Sequence, residues 1–402
     1  LVMLAVAALA ALFQGFSIVS PLANAFAIPA VSFAITPLTL AATILPFDWP
    51  LERAHMLTAW MMQALHWLSS SPLALREQPL PPPWLLATAM AAAILLILPR
   101  GTPGRLAALA LIGGFLCWQP ERPRSGDFRA TVLDVGQGLA IHVQTAHHDL
   151  LYDSGPLYGA ASDAGERVVT PYLRALGVRR LDKAMISHDD ADHAGGLESV
   201  RARVTVAETI AGDAGGATYE IEAPPERSAW NARGARLAPV YGTPCISGLR
   251  WRWDEVDFTV LAPDGLSGKR RDNAESCVLR ISAAGGASLL LTGDMESSGE
   301  NRLLEHLGDA LASTAVVAGH HGSRSSSSPA FVAAVRPDVA IFSAGYRNRY
   351  GHPHPVVLSR WAVAGARNLR TDGEGSVLLA SEGEKVKAVG WRELHPRYWH
   401  GR

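Results

Sequence analysis

Residues 187–196 read SHDDADHAGG. Positions 188–193 hold two histidines and three aspartates, and two glycines follow. The apolar run LDKAMIS (181–187) in front of them reads as a strand. Taken alone, such a stretch fits a solvated turn capping a helix. A metal centre fits better once the rest of the chain is included. His188, Asp190 and Asp192 fall at i, i+2 and i+4, with His193 at i+5. Imidazole and carboxylate together suit zinc, manganese or iron. The same pattern, an apolar strand ending on a ligand-type residue, recurs. LLYDSG (150–155) ends at Asp153, LLLTGDME (289–296) reaches Asp294, and VVAGHHGS (316–323) reaches His320 and His321. A convergent metal site requires several strand ends of this kind.

The 402 residues are too many for one ordinary domain, and the net charge of −1 gives no global basic excess. The distribution is more informative. The chain has 36 Lys and Arg and 37 Asp and Glu, yet residues 1–118 hold only seven of them, and residues 1–47 none. A span needs about 20 apolar residues to cross the bilayer. Residues 1–23 and 25–47 are expected to do so, with Pro21, Pro29 and Pro37 accommodated by neighbouring helices. Segments 84–98 and 106–118 are apolar but shorter, and 54–70 reads as an interfacial helix. A cleaved signal peptide is disfavoured, because no Lys or Arg precedes Arg53. The chain begins inside an apolar run and is expected to be the C-terminal piece of a longer membrane protein. The Pro/Arg-rich stretch QPERPRSGDF (119–128) marks a boundary between residues 1–120, helical and membrane-embedded, and residues 121–402. Past it, short apolar runs broken by Gly, Pro and Asp predict two β-sheets sandwiched between helices. Cys245 and Cys277 are candidates for a disulfide if that part faces an oxidising compartment.

The strings LDVGQGLAIHV, LLYDSG, ISHDDADHAGG, LTGDME, HHGSRSSSS and YGHPHP, in this order, resemble the metallo-β-lactamase fold and, more specifically, the C-terminal domain of the ComEC family of DNA-uptake channels. The apolar N-terminal part is similar to the last part of that family's membrane competence domain. The resemblance implies an α-helical membrane segment followed by an α/β metallo-β-lactamase-like αββα sandwich. Its usual HxHxDH motif falls on His188, Asp190, Asp192 and His193, with Asp in place of the second His. Asp294 matches the bridging acid and His320 or His321 the late histidine; Asp153 would orient a ligand from behind. A mid-domain metal histidine is missing, since no His lies between 194 and 305. One metal position would then keep His188, Asp190 and Asp294, and the other Asp192, His193, Asp294 and the late His. Fewer imidazoles favour a harder ion, so zinc and manganese, and one ion or two, stay open.

The function expected from this resemblance is DNA internalisation during natural transformation. The membrane part passes a single strand, and the metal-dependent domain hydrolyses the phosphodiester bonds of the other. A divalent ion acidifies water and offsets phosphodiester charge. Asp192 would also orient that water, and His352 donate a proton to the leaving oxygen. Ser323 and Ser325, on the SRSSSS stretch, and Arg347, Arg349 and Tyr350 are candidates for substrate contact, arginines on phosphates and tyrosines on bases. The basic patch GKRRDN (268–273) is a further candidate for phosphate contact, while DVGQG (134–138) reads as a tight turn at a sheet edge. Expected partners are DNA, membrane lipids, other competence proteins and a second copy of the chain. Arg100 and Arg105 put their loop on the cytoplasmic side, which leaves the soluble domain outside, on the periplasmic side of a multi-pass inner-membrane protein. Arg122, Arg124 and Arg129 oppose that orientation. Two other readings stay open: an inactive domain that only guides DNA, and a membrane-tethered hydrolase of small molecules.

Overall fold

The computed structural model describes residues 14–71, 74–99, 101–159, 162–211, 242–264 and 273–400. It divides into two compact units, Leu1–Pro120 with Arg174–Gly177, and Glu121–Leu173 with Val178–Arg402.

In the first unit, one helical run covers Ser20–Ile44, 25 residues. At 1.5 Å per residue it is about 37 Å long, enough to cross about 30 Å of hydrocarbon. The two spans expected over 1–23 and 25–47 are corrected here: residues 20–44 form a single run, and residues 1–13 lie outside the described residues. Pro29 and Pro37 remove amide donors on either side of Val31–Ile35, and that stretch relaxes into a π-helix rather than breaking the run. The segment expected at the interface belongs to the helix Trp49–Ser69, which buries Ala54, Met61 and Leu68 at intervals of seven. The shorter apolar helices Pro83–Ile97 and Arg105–Cys117 pack against each other through Ala89, Leu85 and Phe115. Arg105 donates to the carbonyls of Leu96 and Leu98, closing the end of the preceding helix. Arg100, the other charge used for orientation, lies outside the described residues.

The second unit is the expected αββα sandwich. One eight-stranded sheet runs in the order Thr243–Pro244, Thr205–Ala211, Arg180–Ile186, Asp149–Ser154, Ala140–Gln144, Arg129–Val132, Val377–Glu382, Lys385–Gly390. The other, seven-stranded, runs Arg250–Trp253, Val256–Ala262, Val278–Ser282, Ser288–Leu291, Ala315–Val317, Val339–Phe342, Arg367–Arg370. Their facing sides share a core that includes Val132, Ile141, Leu150 and Tyr152 from one sheet and Leu279, Ile281, Leu289 and Leu291 from the other. Behind the second sheet, Leu303, Phe331, Val335 and Trp361 from three helices bury its outer face. Strands 149–154, 180–186 and 205–211 pair in parallel, as do 288–291, 315–317, 339–342 and 367–370. Parallel strands present their carboxyl ends at one end of the sandwich, where loops carry sites. The DVGQG turn is not at a sheet edge. It joins two interior strands, and a Cβ on Gly138 (φ +146°) would lie 2.5 Å from the Asp192 carbonyl oxygen. Its glycine is needed for close approach to the loop of the opening motif.

Candidate metal centre

Asp153 closes its strand with φ +56° and is wholly buried. Its carboxylate accepts three hydrogen bonds: from Ser187 N at 2.7 Å, from Ser187 Oγ at 2.8 Å and from His193 Nδ1 at 2.8 Å. That bond on Nδ1 leaves His193 Nε2 to face Asp294. His321 is held the same way, donating from Nδ1 to the Ser343 carbonyl at 2.9 Å. The His188 Nδ1 atom lies 2.9 Å from Ser187 Oγ. Three imidazoles, two from the loop after strand Arg180–Ile186 and one from the loop after Ala315–Val317, are thus held from behind at Nδ1.

In front of them lies Asp294. His193 Nε2 is 3.0 Å and His321 Nε2 3.7 Å from its Oδ1. Asp192 Oδ2 is 3.3 Å from His321 Nε2. One ligand atom from each of Asp192, His193, Asp294 and His321 lies within 4.8 Å of the others. Burial alone would raise the Asp294 pKa, but His193, His321 and His188 outweigh it and hold the carboxyl well below the usual carboxylate range. Burial alone would depress His193, but Asp294 and Asp153 push it well above an ordinary imidazole. Burial also opposes ionisation of Asp192, yet the His321 hydrogen bond and the charge of His193 bring it down to about 2. The chemistry of the donor set fits a divalent cation. The buried atoms His188 Nε2, His193 Nε2 and Asp294 Oδ1 lack a well-aligned hydrogen bond, although His193 Nε2 lies 3.0 Å from Asp294 Oδ1 and His188 Nε2 3.4 Å from Asp190 Oδ2. Buried polar atoms are rarely left so unless another partner belongs there.

The remaining candidates fall around this cluster. Of the two late histidines it is His321 that joins it. His320 turns aside, Nδ1 3.0 Å from Glu296 Oε1 and Nε2 3.8 Å from Asp294 Oδ2. Asp190 is half-exposed, its carboxylate 3.4 Å from His188 Nε2. The His352 ring lies 5.8 Å from that of His320 and carries Tyr350 stacked at the same separation. Burial, then His321 and His320, depress the His352 pKa. Arg347 and Arg349 lie exposed over the rings of Tyr346 and Tyr350, at 5.1 and 4.9 Å.

The serine run divides in function. Ser325 donates to Glu296, and Ser323 lies 3.0 Å from Ser325, both near His320. Ser327 and Ser328 instead donate their amides to the buried Glu300, and Ser328 caps the helix Pro329–Val335. His354 caps the helix Pro355–Val363. In the GKRRDN patch, residues 268–272 lie outside the described residues. Gly195 closes on the Ala191 carbonyl within the metal loop, and Gly196 passes the backbone of Ser154 and Gly165; at each a Cβ would meet a carbonyl oxygen at 2.3 Å. Sequence reasoning missed Ser187, Ser343 and Glu296. Only Glu296, two residues beyond Asp294, carried a local signal.

Two face-to-face sheets with a His/Asp cluster at their strand ends define a metallo-β-lactamase-fold domain, and residues 133–346 match the family model "Metallo-beta-lactamase superfamily". Residues 1–103 match "Competence protein". "Competence protein ComA" of Neisseria gonorrhoeae is 40% identical over 391 residues, 96% of this chain and 51% of the relative. "ComE operon protein 3" of Bacillus subtilis is 27% identical over 412 residues, again 96% and 51%. The chain belongs to the ComEC family of competence proteins, and it spans about half the length of these curated relatives. The metallo-β-lactamase fold protein YhfI from Bacillus subtilis aligns with 60% of this chain and 95% of its own, at 10% identity and a TM-score of 0.38. At that level it adds nothing to the sheet order described above.

Proposed function

We propose that this protein acts in DNA uptake: residues 1–120 contribute to a membrane channel for a single strand, and residues 121–402 hydrolyse phosphodiester bonds of the strand left behind. The observation that carries the hydrolytic part is the Asp192, His193, Asp294, His321 cluster with its buried atoms lacking well-aligned hydrogen bonds. The DNA part leans on the names of the relatives and on the exposed Arg–Tyr pairs beside His352.

Asp192, His193, Asp294 and His321 would hold one divalent ion, zinc or manganese, and His188 with Asp190 would complete a second position. Bound there, such an ion acidifies water and offsets charge on a phosphodiester. Asp153 fixes His193 so that Nε2 stays available. Asp192 orients the attacking water. His352 would donate a proton to the leaving oxygen; burial and then His321 and His320 lower its pKa, which works against the protonated form in the free protein. Arg347 and Arg349 take phosphates while Tyr350 takes a base face; Ser323 and Ser325 line the same side.

The chain sits in the inner membrane with other competence proteins and lipids around it, several segments crossing and the second unit outside, where its Cys245–Cys277 disulfide is stable. Copies of the chain assemble around the pore. The test is nuclease activity of the purified full chain on oligonucleotides with manganese or zinc, against Asp192→Ala. Equal activity in the variant removes the site assignment. The half-exposed Asp190 and the missing mid-domain histidine favour a second reading, a guide that cleaves nothing. Under that reading the purified chain carries no stoichiometric metal.

A further inference from the structure

The segment just before strand Val278–Ser282 touches the centre without lending it a ligand. Ser276 Oγ accepts the backbone N–H of Asp294 at 3.1 Å. The Cys277 N–H donates to the carbonyl of Ser187, the residue before His188, at 3.0 Å. Tyr152, one residue before Asp153, donates its hydroxyl to the Cys277 carbonyl. Gly293, with φ +54°, runs so close to this corner that a Cβ on it would lie 2.8 Å from Ser187 Cβ and 3.0 Å from Ser276 Cβ. One corner therefore meets the backbone on both sides of the centre, the first sheet at Ser187 and the second at Asp294. Among the described contacts, a single covalent tie holds that corner to the first sheet's edge. Cys277 is bonded to Cys245, whose own N–H donates to the Ala211 carbonyl at 3.0 Å, and both cysteines are fully buried.

We infer that the Cys245–Cys277 disulfide is a positioning cross-link for the metal centre, so that the domain reaches full metal affinity only with this bond formed. This rests on the metal reading given above. Metal sites require ligand distances within about 0.2 Å of their ideal values, and outer partners of the ligands typically change affinity by about 10–100-fold. Ser276 and Cys277 are such partners through the backbone. Reduction by a dithiol breaks the S–S bond, moves two electrons and two protons onto the cysteines, and closes the dithiol to its own disulfide. The corner is then held by hydrogen bonds alone. Formation of the bond needs an oxidising compartment, so the centre matures on the side of the membrane where incoming DNA arrives.

The experiment uses the full chain in detergent, as oxidised protein, after dithiothreitol and its anaerobic removal, and as the C245S/C277S and S276A variants. Thiol titration in denaturant reports the redox state: the chain has three cysteines, so one thiol is expected oxidised and three reduced. Manganese and zinc affinities are measured by competition with a chromophoric chelator, and circular dichroism monitors the fold. The expected result is metal binding weakened about tenfold or more in the reduced protein and in C245S/C277S. In S276A, which keeps the cross-link, the loss is smaller, about threefold to tenfold, with the fold intact. If the double variant fails to fold, the reduced protein decides. Affinity within twofold of the oxidised parent in the folded, reduced protein overturns this inference whatever S276A shows, and leaves the metal centre standing. An oxidised parent that binds no metal overturns the metal centre, and the inference with it.

Discussion

Replacing Asp153 with Asn tests the support of the centre rather than its ligands. The residue sits at φ +56°, a region Asn tolerates better than most residues, so the backbone has no reason to move. The carboxylate accepts three bonds, one on Oδ1 from Ser187 N and two on Oδ2 from Ser187 Oγ and His193 Nδ1. An amide offers one oxygen and one NH2 in the same space. With its NH2 toward Ser187 N, two donors face each other in a wholly buried site. With its NH2 toward His193, the imidazole must accept at Nδ1. Its proton then moves to Nε2, the atom 3.0 Å from Asp294 that a metal would need. Either outcome loses a buried bond to a charged group, worth about 1.5–3 kcal/mol, or about 10–100-fold in metal affinity. Chelator competition on the full chain measures this, with thermal melting as the check on folding. A change below about threefold in a variant that melts with the parent would show that Asp153 does not set the His193 tautomer, and the account of the site from behind would be wrong.

His321→Ala is expected to lose stoichiometric metal, whereas His320→Ala keeps it within about twofold, because only His321 presents Nε2 to both Asp192 and Asp294; elemental analysis of the two purified variants distinguishes them. The double variant Arg347→Ala/Arg349→Ala is expected to weaken single-stranded oligonucleotide binding and to reduce the slope of log affinity against log salt by about 1.4, the share of two phosphates, with metal affinity unchanged. Stability without metal should depend on pH in two directions. Raised above its usual 6.5, His193 contributes fully below that pH, and its contribution is lost as pH climbs through the higher folded value. Depressed below their usual 3.8, Asp294 and Asp192 contribute above that pH, and their contribution is lost as pH falls, toward about 2 for Asp192. Melting of the chelated protein should therefore peak between 3.8 and 6.5. Metal affinity should instead rise with pH, since the imidazoles must shed protons to bind; calorimetry in two buffers of different ionisation enthalpy reads the released protons.

Much of this protein is written locally. The apolar, uncharged character of residues 1–47 is legible, though not that residues 20–44 form one run, and apolar runs ending at Asp153, His188, Asp294 and the His320/His321 pair already mark strands that terminate in ligand-type side chains. Periodicity and residue chemistry suffice there, because each signal lies within a few neighbouring positions. The alternation of Val377–Glu382 and Lys385–Gly390 is local too, but that Val377–Glu382 joins the first sheet beside Arg129–Val132 is a pairing only the fold reveals. What only the tertiary structure decided depends on residues far apart in the chain. That His321 and not His320 turns inward is set by the Ser343 carbonyl, 22 residues on. That Asp153 holds His193 is a contact across 40 residues. The pairing of Cys245 with Cys277 follows from how the two sheets face each other, and the approach of Ser276 to Asp294 from the antiparallel pairing of Val278–Ser282 with Ser288–Leu291. Side-chain chemistry is a property of single residues and survives in a linear reading; direction and distance arise only when the sandwich closes.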